Sequence, residues 1–274
     1  MFDWAEVAGA VMGVVNVTPD SFSDGGLYLD PDAAIAHGIA LCDAGAAVLD
    51  VGGESTRPGA APVAAAEETA RVVPVIRALA AQTPVPVSVD TTKAEVAVRA
   101  IEAGATIVND VSAGRLDPGL MGAVADAGAG YVVMHMQGEP RTMQDEPRYD
   151  DVVEEVGTFL AQRLDAARAA GVANESLMAD PGIGFGKRPA HNLTLLADVG
   201  ALVERVGVPV LVGASRKTFI GRALGVDEPA ARDDGTLATV VWALDQGATM
   251  VRVHDARGAR RAVDLLDALE GAAA

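Results

Sequence analysis

The segment Val14-Val15-Asn16-Val17-Thr18-Pro19-Asp20-Ser21-Phe22-Ser23-Asp24-Gly25-Gly26 carries the clearest indication of the fold. An apolar, mostly β-branched run ends at the amide side chain of Asn16. A polar loop follows, with a proline, two glycines, two aspartates and one phenylalanine. This order is typical of a buried strand that presents a ligand-binding group at its carboxyl end and then continues into a loop.

The same order recurs along the chain. Short apolar runs predict strands at 11–17, 47–51, 85–89, 106–108, 130–134, 176–179, 209–212 and 249–253. Ala-rich amphipathic segments predict helices at 31–44, 65–81, 93–103, 117–128, 150–170, 190–205, 216–223 with 229–247, and 256–271. Short β-branched runs suit strands that are buried on both faces of a parallel sheet.

Eight strand–helix units in 274 residues, without a linker, predict an α/β fold: a (β/α)₈ TIM barrel, one domain over residues 1–274. A doubly wound open sheet is the alternative. Such a sheet usually has fewer strands, and no G-x-G-x-x-G motif follows the first run here.

Capping residues predict several helix ends. Helices are expected to start at Asp30-Pro31, at Asp117-Pro118 and at Ser215 before Arg216. Glycines, which accept a left-handed backbone, are expected to end four helices: Gly45, Gly104, Gly171 and Gly247.

The chain is strongly acidic, with 38 Asp and Glu against 21 Lys and Arg and a net charge of −17. This balance argues against a nucleic-acid partner or an anionic membrane surface. Any anionic ligand must then be held by a local cluster of positive groups. Because the sequence shows no basic leader and no apolar run of ~20 residues, it predicts a cytoplasmic protein without a membrane partner.

Thiol and zinc chemistry find little support. Cys42 is the single cysteine, which excludes an internal disulfide, and its apolar helical position predicts a buried, inert thiol. The histidines lack the spacing of a zinc site. Two of them, His37 and His191, are predicted to be structural.

Polar side chains follow nearly every predicted strand. In a TIM barrel the carboxyl ends of the strands meet at one mouth, where active sites lie, so these residues predict one polar pocket. They are Asn16, Asp50 with Glu54, Asp90, Asn109-Asp110, His135, Asp180, Ser215-Arg216-Lys217, and Arg252 with His254.

Several of these residues also have a purely structural interpretation. His135 and His254 could be satisfied histidines in the core or at the rim. Arg216 and Lys217 could be exposed on a first helical turn. Asp90 could cap the helix that begins near Lys93. Asn109 could satisfy the backbone of a turn. Asp180 could start a turn at Pro181.

The composition of this ring favours a flat nitrogen heterocycle joined to an anion. Carboxylate and amide groups can read the donor edge of such a ring, and Lys217 can meet a ring carbonyl or nitrogen. Arg252 and His254 can hold the anion. The neutral oxygen of Asn16 suits a Mg²⁺ ion that keeps most of its waters and bridges a diphosphate. Two loops, 17–27 and 52–60, have the composition of lids.

Seven segments together resemble the bacterial dihydropteroate synthases over nearly the whole chain. They are Met12–Gly26, Asp50–Gly59, Ser88–Thr91, Val108–Ser112, Asp180–Lys187, Gly213–Lys217 and Val251–Asp255. The resemblance implies a TIM-barrel transferase that condenses 6-hydroxymethyl-7,8-dihydropterin diphosphate with p-aminobenzoate, with Mg²⁺ as cofactor. The products are 7,8-dihydropteroate, a folate precursor, and diphosphate. It further implies a homodimer and a sulfonamide target.

The resemblance also implies roles for individual residues. Pterin-binding positions match Asp90, Asn109, Asp180 and Lys217, with Met134 and Phe185 at the pocket wall. Positions that hold the diphosphate and its metal match Asn16, Arg252 and His254. Positions near the aminobenzoate and the lids match Phe22, Thr56, Arg57, Pro58 and Ser215. Catalysis is expected from Asn16, Asp90, Lys217, Arg252 and His254, with Asn16 as the metal ligand.

Other functions remain open on the residues alone. One is a pterin-binding barrel without catalysis, and another is an aldolase that uses Lys217 as a Schiff-base lysine. Related pterin-binding barrels act in corrinoid methyl transfer, but the Thr56-Arg57-Pro58 and Ser215-Arg216-Lys217 segments favour the synthase. The expected mechanism is a dissociative substitution, in which diphosphate departs before the amine attacks.

Overall fold

The computed structural model describes residues 1–18, 30–56 and 59–273. Within these ranges, eight parallel strands form one barrel, which confirms the (β/α)₈ prediction over the open sheet. The strands are β1 (Val11–Asn16), β2 (Val48–Gly52), β3 (Val87–Asp90), β4 (Ile107–Asp110), β5 (Gly130–Met134), β6 (Leu177–Asp180), β7 (Leu211–Val212) and β8 (Met250–Val253).

Neighbouring strands pair in the order β6-β5-β4-β3-β2-β1-β8-β7. The ring closes between β6 and β7, where Ala179 bridges Val210 and its N–H donates to the Pro209 carbonyl at 2.9 Å. Because every strand runs in the same direction, the last residues of the strands meet at one end. Asn16, Asp90 and Asp180 are such last residues.

Helices alternate with the strands and cover the barrel. They are α1 (Pro31–Asp43), α2 (Ala65–Gln82), α3 (Ala94–Glu102), α4 (Leu120–Ala127), α5 (Val152–Ala169), α6 (Pro189–Ala197), α7 (Val199–Val206), α8 (Thr218–Leu224), α9 (Asp233–Asp245) and α10 (Ala256–Ala273). Among the described residues, no helix is both long enough and apolar enough to cross a membrane.

Several predicted helix ends are confirmed. The Asp30 side chain accepts a hydrogen bond from the Asp32 N–H at 3.0 Å, and Pro31 opens α1. The glycines expected to end helices have positive φ values, from 92° to 115°, which only glycine adopts at little cost: Gly45, Gly104, Gly171 and Gly247.

The predicted helix over 190–205 is wrong as a single element. It consists of α6 and α7, which meet at Asp198, where φ of −109° and ψ of 26° depart from helical values. Leu195 and Val199, on either side of this break, are both fully buried. The change of direction therefore keeps both helices packed against the barrel.

Two predicted helix starts are also wrong. α8 begins at Thr218 because the backbone of Arg216 is left-handed (φ 57°), which a right-handed helix does not contain. α4 begins at Leu120. Asp117 instead accepts a hydrogen bond from the Ala94 N–H at 2.8 Å, and so satisfies the first turn of α3.

Cys42 is half-buried on α1, so the prediction of a buried thiol is wrong. Its side chain follows Leu41, which takes the core-facing position of that turn. Burial raises the pKa of the Cys42 thiol, with Asp43 adding to the effect. The thiol is therefore largely protonated at neutral pH.

Apolar side chains fill the amino-terminal end of the barrel. The cluster there comprises Trp4, Met12, Val48, Ile107, Val132, Met178, Leu211 and Met250. Trp4 is buried, and its Nε1 donates to the Ser176 carbonyl at 2.9 Å. Since this end is filled, space for a ligand inside the barrel is found toward the carboxyl ends of the strands.

Candidate active site

A cavity of about 770 Å³ opens at the carboxyl ends of the strands. Its described lining comes from β1, β3 and β8 and from the loops after β2, β5, β6 and β7. Basic side chains are prominent in it although the whole chain is acidic: Lys187, Arg188, Arg216, Lys217, Arg222, Arg232 and Arg252. The local positive cluster expected for an anionic ligand is therefore present.

Arg252 links carboxylates from two other strands. Its Nε donates to Asp50 Oδ2 at 2.6 Å, and its Nη2 donates to Asp90 Oδ2 at 3.0 Å. Asn109 Nδ2 donates to the same Asp50 oxygen at 3.0 Å. Asp50 is fully buried. It therefore joins Asn109 on β4 to Arg252 on β8, and Arg252 in turn binds Asp90 on β3.

The contact with Asp50 orients the Asn109 amide. Because Nδ2 of Asn109 faces Asp50, its Oδ1 faces away, and this buried oxygen has no hydrogen-bond partner among the described residues. Asp50 Oδ1 is buried and unpartnered in the same part of the chain. Buried acceptors without partners are costly, so both oxygens are suited to receive N–H groups from a ligand.

The structural interpretations of Asp90 and Asn109 do not hold. α3 is capped at Lys93, whose N–H donates to Thr91 Oγ1 at 3.3 Å rather than to Asp90. The side-chain amide of Asn109 bonds to Asp50 instead of a turn. Asp90 lines the cavity, whereas Asn109 lies behind the lining, bonded to Asp50.

Lys217 and Asp180 converge beside Gly213. A Cβ atom placed on Gly213 would lie 3.9 Å from both Lys217 Nζ and Asp180 Oδ2, so both charged groups flank this glycine. Asp180 Oδ1 accepts a hydrogen bond from the Gly182 backbone N–H at 2.6 Å. This is the turn contact that an aspartate before a proline predicts. Lys217 Nζ donates to the Ile183 carbonyl and lies 4.7 Å from the centre of the Phe185 ring.

An apolar wall adjoins these polar groups. Met134 is buried and packs with Met136, Met143 and Val111, and Phe185 lies against this cluster. Phe185 and Met143 also line the cavity. The predicted wall positions are thus brought together, although Met134 lies behind the lining rather than in it.

The remaining predicted residues lie at the same mouth where the structure describes them. Asn16 at the end of β1 and Thr56 after β2 both line the cavity. Ser215 Oγ lies 2.9 Å from His254 Nδ1 and accepts the His254 backbone N–H at 3.2 Å. Three predicted residues fall outside the described ranges, and their roles stay predictions: Phe22, Arg57 and Pro58.

Two strand-end residues do not belong to the pocket, contrary to prediction. His135 is buried, accepts a hydrogen bond from Lys187 Nζ on Nδ1 at 2.8 Å and packs edge-on against Phe159. Burial and the Lys187 ammonium lower the pKa of His135 to about 2. Asp110 accepts a hydrogen bond from Tyr131 at 2.7 Å and shapes the loop after β4.

Two lysines with important contacts were not singled out from the sequence. Lys187 is buried, and its position after the Gly-rich segment 182–186 was a signal that could have marked it. Lys93 bridges Glu54 and Glu68, which lie 39 and 25 residues away in the chain. No local pattern connects Lys93 with these partners.

Burial dominates the ionisation of the site. It raises the pKa of Asp90 to about 7, although the Arg252 guanidinium acts in the opposite direction. It lowers the pKa of Lys217 to about 8, against the attraction of Asp180. The pKa of Asp180 is raised for the same reason. Groups that titrate near neutral pH in a cleft are typical of active sites.

The raised pKa of Asp90 predicts that the ligand-free protein loses stability as the pH rises. The folded state holds this proton up to about pH 7, whereas the unfolded chain releases it near 3.8. The stabilisation that this proton gives the folded state is complete below the unfolded pKa of 3.8 and is lost as the pH rises through the folded pKa of about 7. Between pH 5 and pH 7 we expect the free energy of unfolding to fall by about 2 kcal/mol more in the wild type than in Asp90→Asn, since one pKa unit is about 1.4 kcal/mol. Urea unfolding at both pH values measures this difference, and parallel profiles of the two proteins would contradict it.

Comparison with known proteins agrees with this geometry. A family model described as "Pterin binding enzyme" matches residues 12–254. The dihydropteroate synthase of Escherichia coli strain K12 is 46% identical over 258 residues, which cover 94% of this chain and 90% of that protein.

Solved structures give the same result. Yersinia pestis dihydropteroate synthase in complex with a sulfonamide drug matches with a TM-score of 0.92 and 45% identity, over 96% of this chain and 94% of that one. Xanthomonas albilineans dihydropteroate synthase in complex with 7,8-dihydropteroate matches with a TM-score of 0.86 and 47% identity, over 95% of this chain and 93% of that one. With family, relatives and site in agreement, this chain belongs to the pterin-binding enzymes and, among them, to the dihydropteroate synthases.

Proposed function

We infer that this protein is a transferase of folate biosynthesis. It condenses 6-hydroxymethyl-7,8-dihydropterin diphosphate with p-aminobenzoate and releases 7,8-dihydropteroate and diphosphate. The observation that carries this conclusion is the meeting of polar groups from five strands or strand ends: Asp90, Asn109, Asp180, Lys217 and Arg252. The Xanthomonas relative holds the same product, 7,8-dihydropteroate.

The pterin ring is held by matched donors and acceptors. The Asp180 carboxylate and the unpartnered Asn109 Oδ1 are acceptors, and the ring presents an amino group and N–H groups as donors. Lys217 supplies a donor for the ring carbonyl or a ring nitrogen. Phe185 and Met143 provide the apolar surface that a flat ring requires.

Arg252 and His254 hold the diphosphate. Arg252 uses Nε and Nη2 for Asp50 and Asp90. A guanidinium carries five N–H donors, so the others can meet an anion. The paired carboxylates therefore orient Arg252 without consuming its capacity to bind.

Mg²⁺ fits this site through Asn16. This residue ends β1, lines the cavity and carries a neutral amide oxygen of the kind Mg²⁺ accepts. Within the described residues, no cluster of three His, Cys, Asp or Glu side chains could hold a metal, so the ion would take its other ligands from water and the diphosphate. When bound, it supplies positive charge that stabilises the departing diphosphate.

The reaction is a substitution at the methylene carbon of the pterin. The bond from this carbon to the diphosphate oxygen breaks, and its electron pair leaves with the anion that Arg252 and His254 hold. The positive charge left behind spreads into the pterin ring beside the Asp90 carboxylate. The amine nitrogen of p-aminobenzoate then bonds to the carbon and releases a proton. Since an arylamine is already neutral at pH 7, the protein contributes mainly positioning and preorganised charge.

The p-aminobenzoate lies toward Thr56 and Ser215. The roles of Phe22, Arg57 and Pro58, which lie outside the described residues, are those that the family resemblance implies. Thr56 and Ser215 line the cavity from neighbouring loops. The Yersinia relative is seen with a sulfonamide drug. The same drug class therefore targets this enzyme.

A homodimer and a cytoplasmic location complete the proposal. Exposed apolar side chains on α9 and α10 offer a surface for self-association: Val241, Trp242, Leu265 and Leu269. Sedimentation of the purified protein tests the dimer.

An assay of diphosphate release tests the reaction. We expect release of diphosphate with formation of 7,8-dihydropteroate in the presence of Mg²⁺ when the dihydropterin diphosphate and p-aminobenzoate are both supplied, and no 7,8-dihydropteroate without the amine. Tight binding of the pterin without turnover would instead support a binding protein. Borohydride trapping of Lys217 with a carbonyl substrate would support an aldolase.

A further inference from the structure

Lys187 is a buried lysine in the wall of the cavity. The residue is 2% exposed. Its Nζ donates to His135 Nδ1 at 2.8 Å, to the Gly182 carbonyl at 2.9 Å and to the Phe185 carbonyl at 3.0 Å. Burial lowers the pKa of Lys187. Three hydrogen bonds on one buried amino group tie together the chain after β5 and the loop after β6.

These contacts hold the loop that follows β6. The glycines of this loop, Gly182, Gly184 and Gly186, all have left-handed backbones. A Cβ atom on Gly182 would lie 1.8 Å from the His135 carbonyl oxygen, and one on Gly186 would lie 2.5 Å from the Gln137 carbonyl oxygen. The loop is thus pressed directly onto the chain that leaves β5.

The same loop supports Lys217. Between the two carbonyls that Lys187 binds lies the Ile183 carbonyl, which accepts a hydrogen bond from Lys217 Nζ. The Phe185 ring lies 4.7 Å from that Nζ. One buried ammonium therefore fixes the segment that places the other ammonium.

We propose that Lys187 is a positioning residue for the pterin subsite: by binding the Gly182 and Phe185 carbonyls and His135, it holds the loop that sets Lys217 and Phe185 against the ring. The inference rests on the proposed pterin subsite. Lys187 itself need not touch the substrate. Removing Lys187 weakens pterin binding because Lys217 is then misplaced.

Lys187→Met tests this role, because methionine keeps the length of the side chain but cannot donate. We expect the Kd for the dihydropterin diphosphate, measured by calorimetry with Mg²⁺, to rise about tenfold while the KM for p-aminobenzoate changes less than about twofold, as for one misplaced charged hydrogen bond. Trp4→Phe is the control. It removes a buried hydrogen bond at the opposite end of the barrel and should lower stability without changing this Kd.

The outcomes separate this inference from the function. Lys217→Met is measured in parallel. If Lys217→Met weakens pterin binding and folded Lys187→Met does not, the positioning role is wrong and the subsite stands. If neither variant changes the Kd, the subsite itself is misassigned. An equal rise in the Kd for the dihydropterin diphosphate and in the KM for p-aminobenzoate would mean that the whole barrel is less well ordered, and would overturn the proposal. Should Lys187→Met not fold, Lys187→Gln, which keeps a neutral NH₂ donor group on a shorter side chain, replaces it. If neither folds, Lys187 serves the whole barrel and the proposal is wrong.

Discussion

Lys217→Met is expected to weaken binding of the dihydropterin diphosphate by about 2–4 kcal/mol, which is roughly 30- to 1000-fold. The variant removes the donor to the ring and leaves the buried Asp180 carboxylate without Lys217, the strongest of the three cations that lower its pKa. Methionine preserves most of the contact with Phe185, so the loss reports the charge rather than the packing. Calorimetric titration of the folded variant measures the effect.

Asp180→Ala is the matching variant, because it removes the carboxylate that lies beside Lys217. It should lose affinity by a similar amount, because Lys217 would then lack the carboxylate that sustains its charge. Urea unfolding separates affinity from stability. Near-native affinity in both folded variants would refute the pterin subsite drawn here.

The placement of these residues could be predicted from the sequence because strand ends are local features. An apolar run that stops at Asn16, Asp90 or Asp180 marks the end of a strand wherever the run lies in the chain. Barrel closure then brings these ends together without any further information. Fold and mouth therefore follow from the periodicity of single segments.

The partners of each residue could not be predicted in this way. Asp50 and Arg252 are separated by 202 residues, and their contact depends on the register that closes the barrel. His135 follows β5 directly, yet it faces Lys187 in the loop after β6 rather than the pocket. A strand end indicates where a side chain is, but its orientation is decided by the loop packed against it.

Helix starts show a similar limit. Ser215 is a good capping residue, yet its hydroxyl contacts His254. Arg216 takes a left-handed backbone and pairs with Asp233 at 2.8 Å. These long-range contacts override the local capping preference, so α8 starts later than the sequence indicates.

Lys93→Met is expected to destabilise the protein by about 3 kcal/mol at pH 8, as for a buried charge left without its partner. Lys93 Nζ binds both Glu54 and Glu68, and the Glu68 side chain is 1% exposed. Burial raises the pKa of Glu68, while Lys93 acts to lower it. Without the lysine, the pKa of Glu68 in the folded state rises further above its unfolded value. The loss relative to the wild type should therefore grow as the pH rises and shrink as the pH falls and Glu68 takes up a proton.

The midpoint of urea unfolding at pH 5 and pH 8, with an unchanged m value, measures this loss. Arg99→Met on the same helix is the control, since the Arg99–Glu102 pair is exposed and should contribute no measurable stability. Glu54 also accepts the Val63 N–H at 2.9 Å, and Arg71 binds the Gly53 carbonyl at 2.7 Å. Lys93 therefore holds the Glu54 carboxylate, which connects the beginning and the end of the loop that contains Thr56. We expect Lys93→Met also to raise the KM for p-aminobenzoate. A variant as stable as the wild type at pH 8 would show that Glu68 is neutral in the native protein and that this anchor is not ionic.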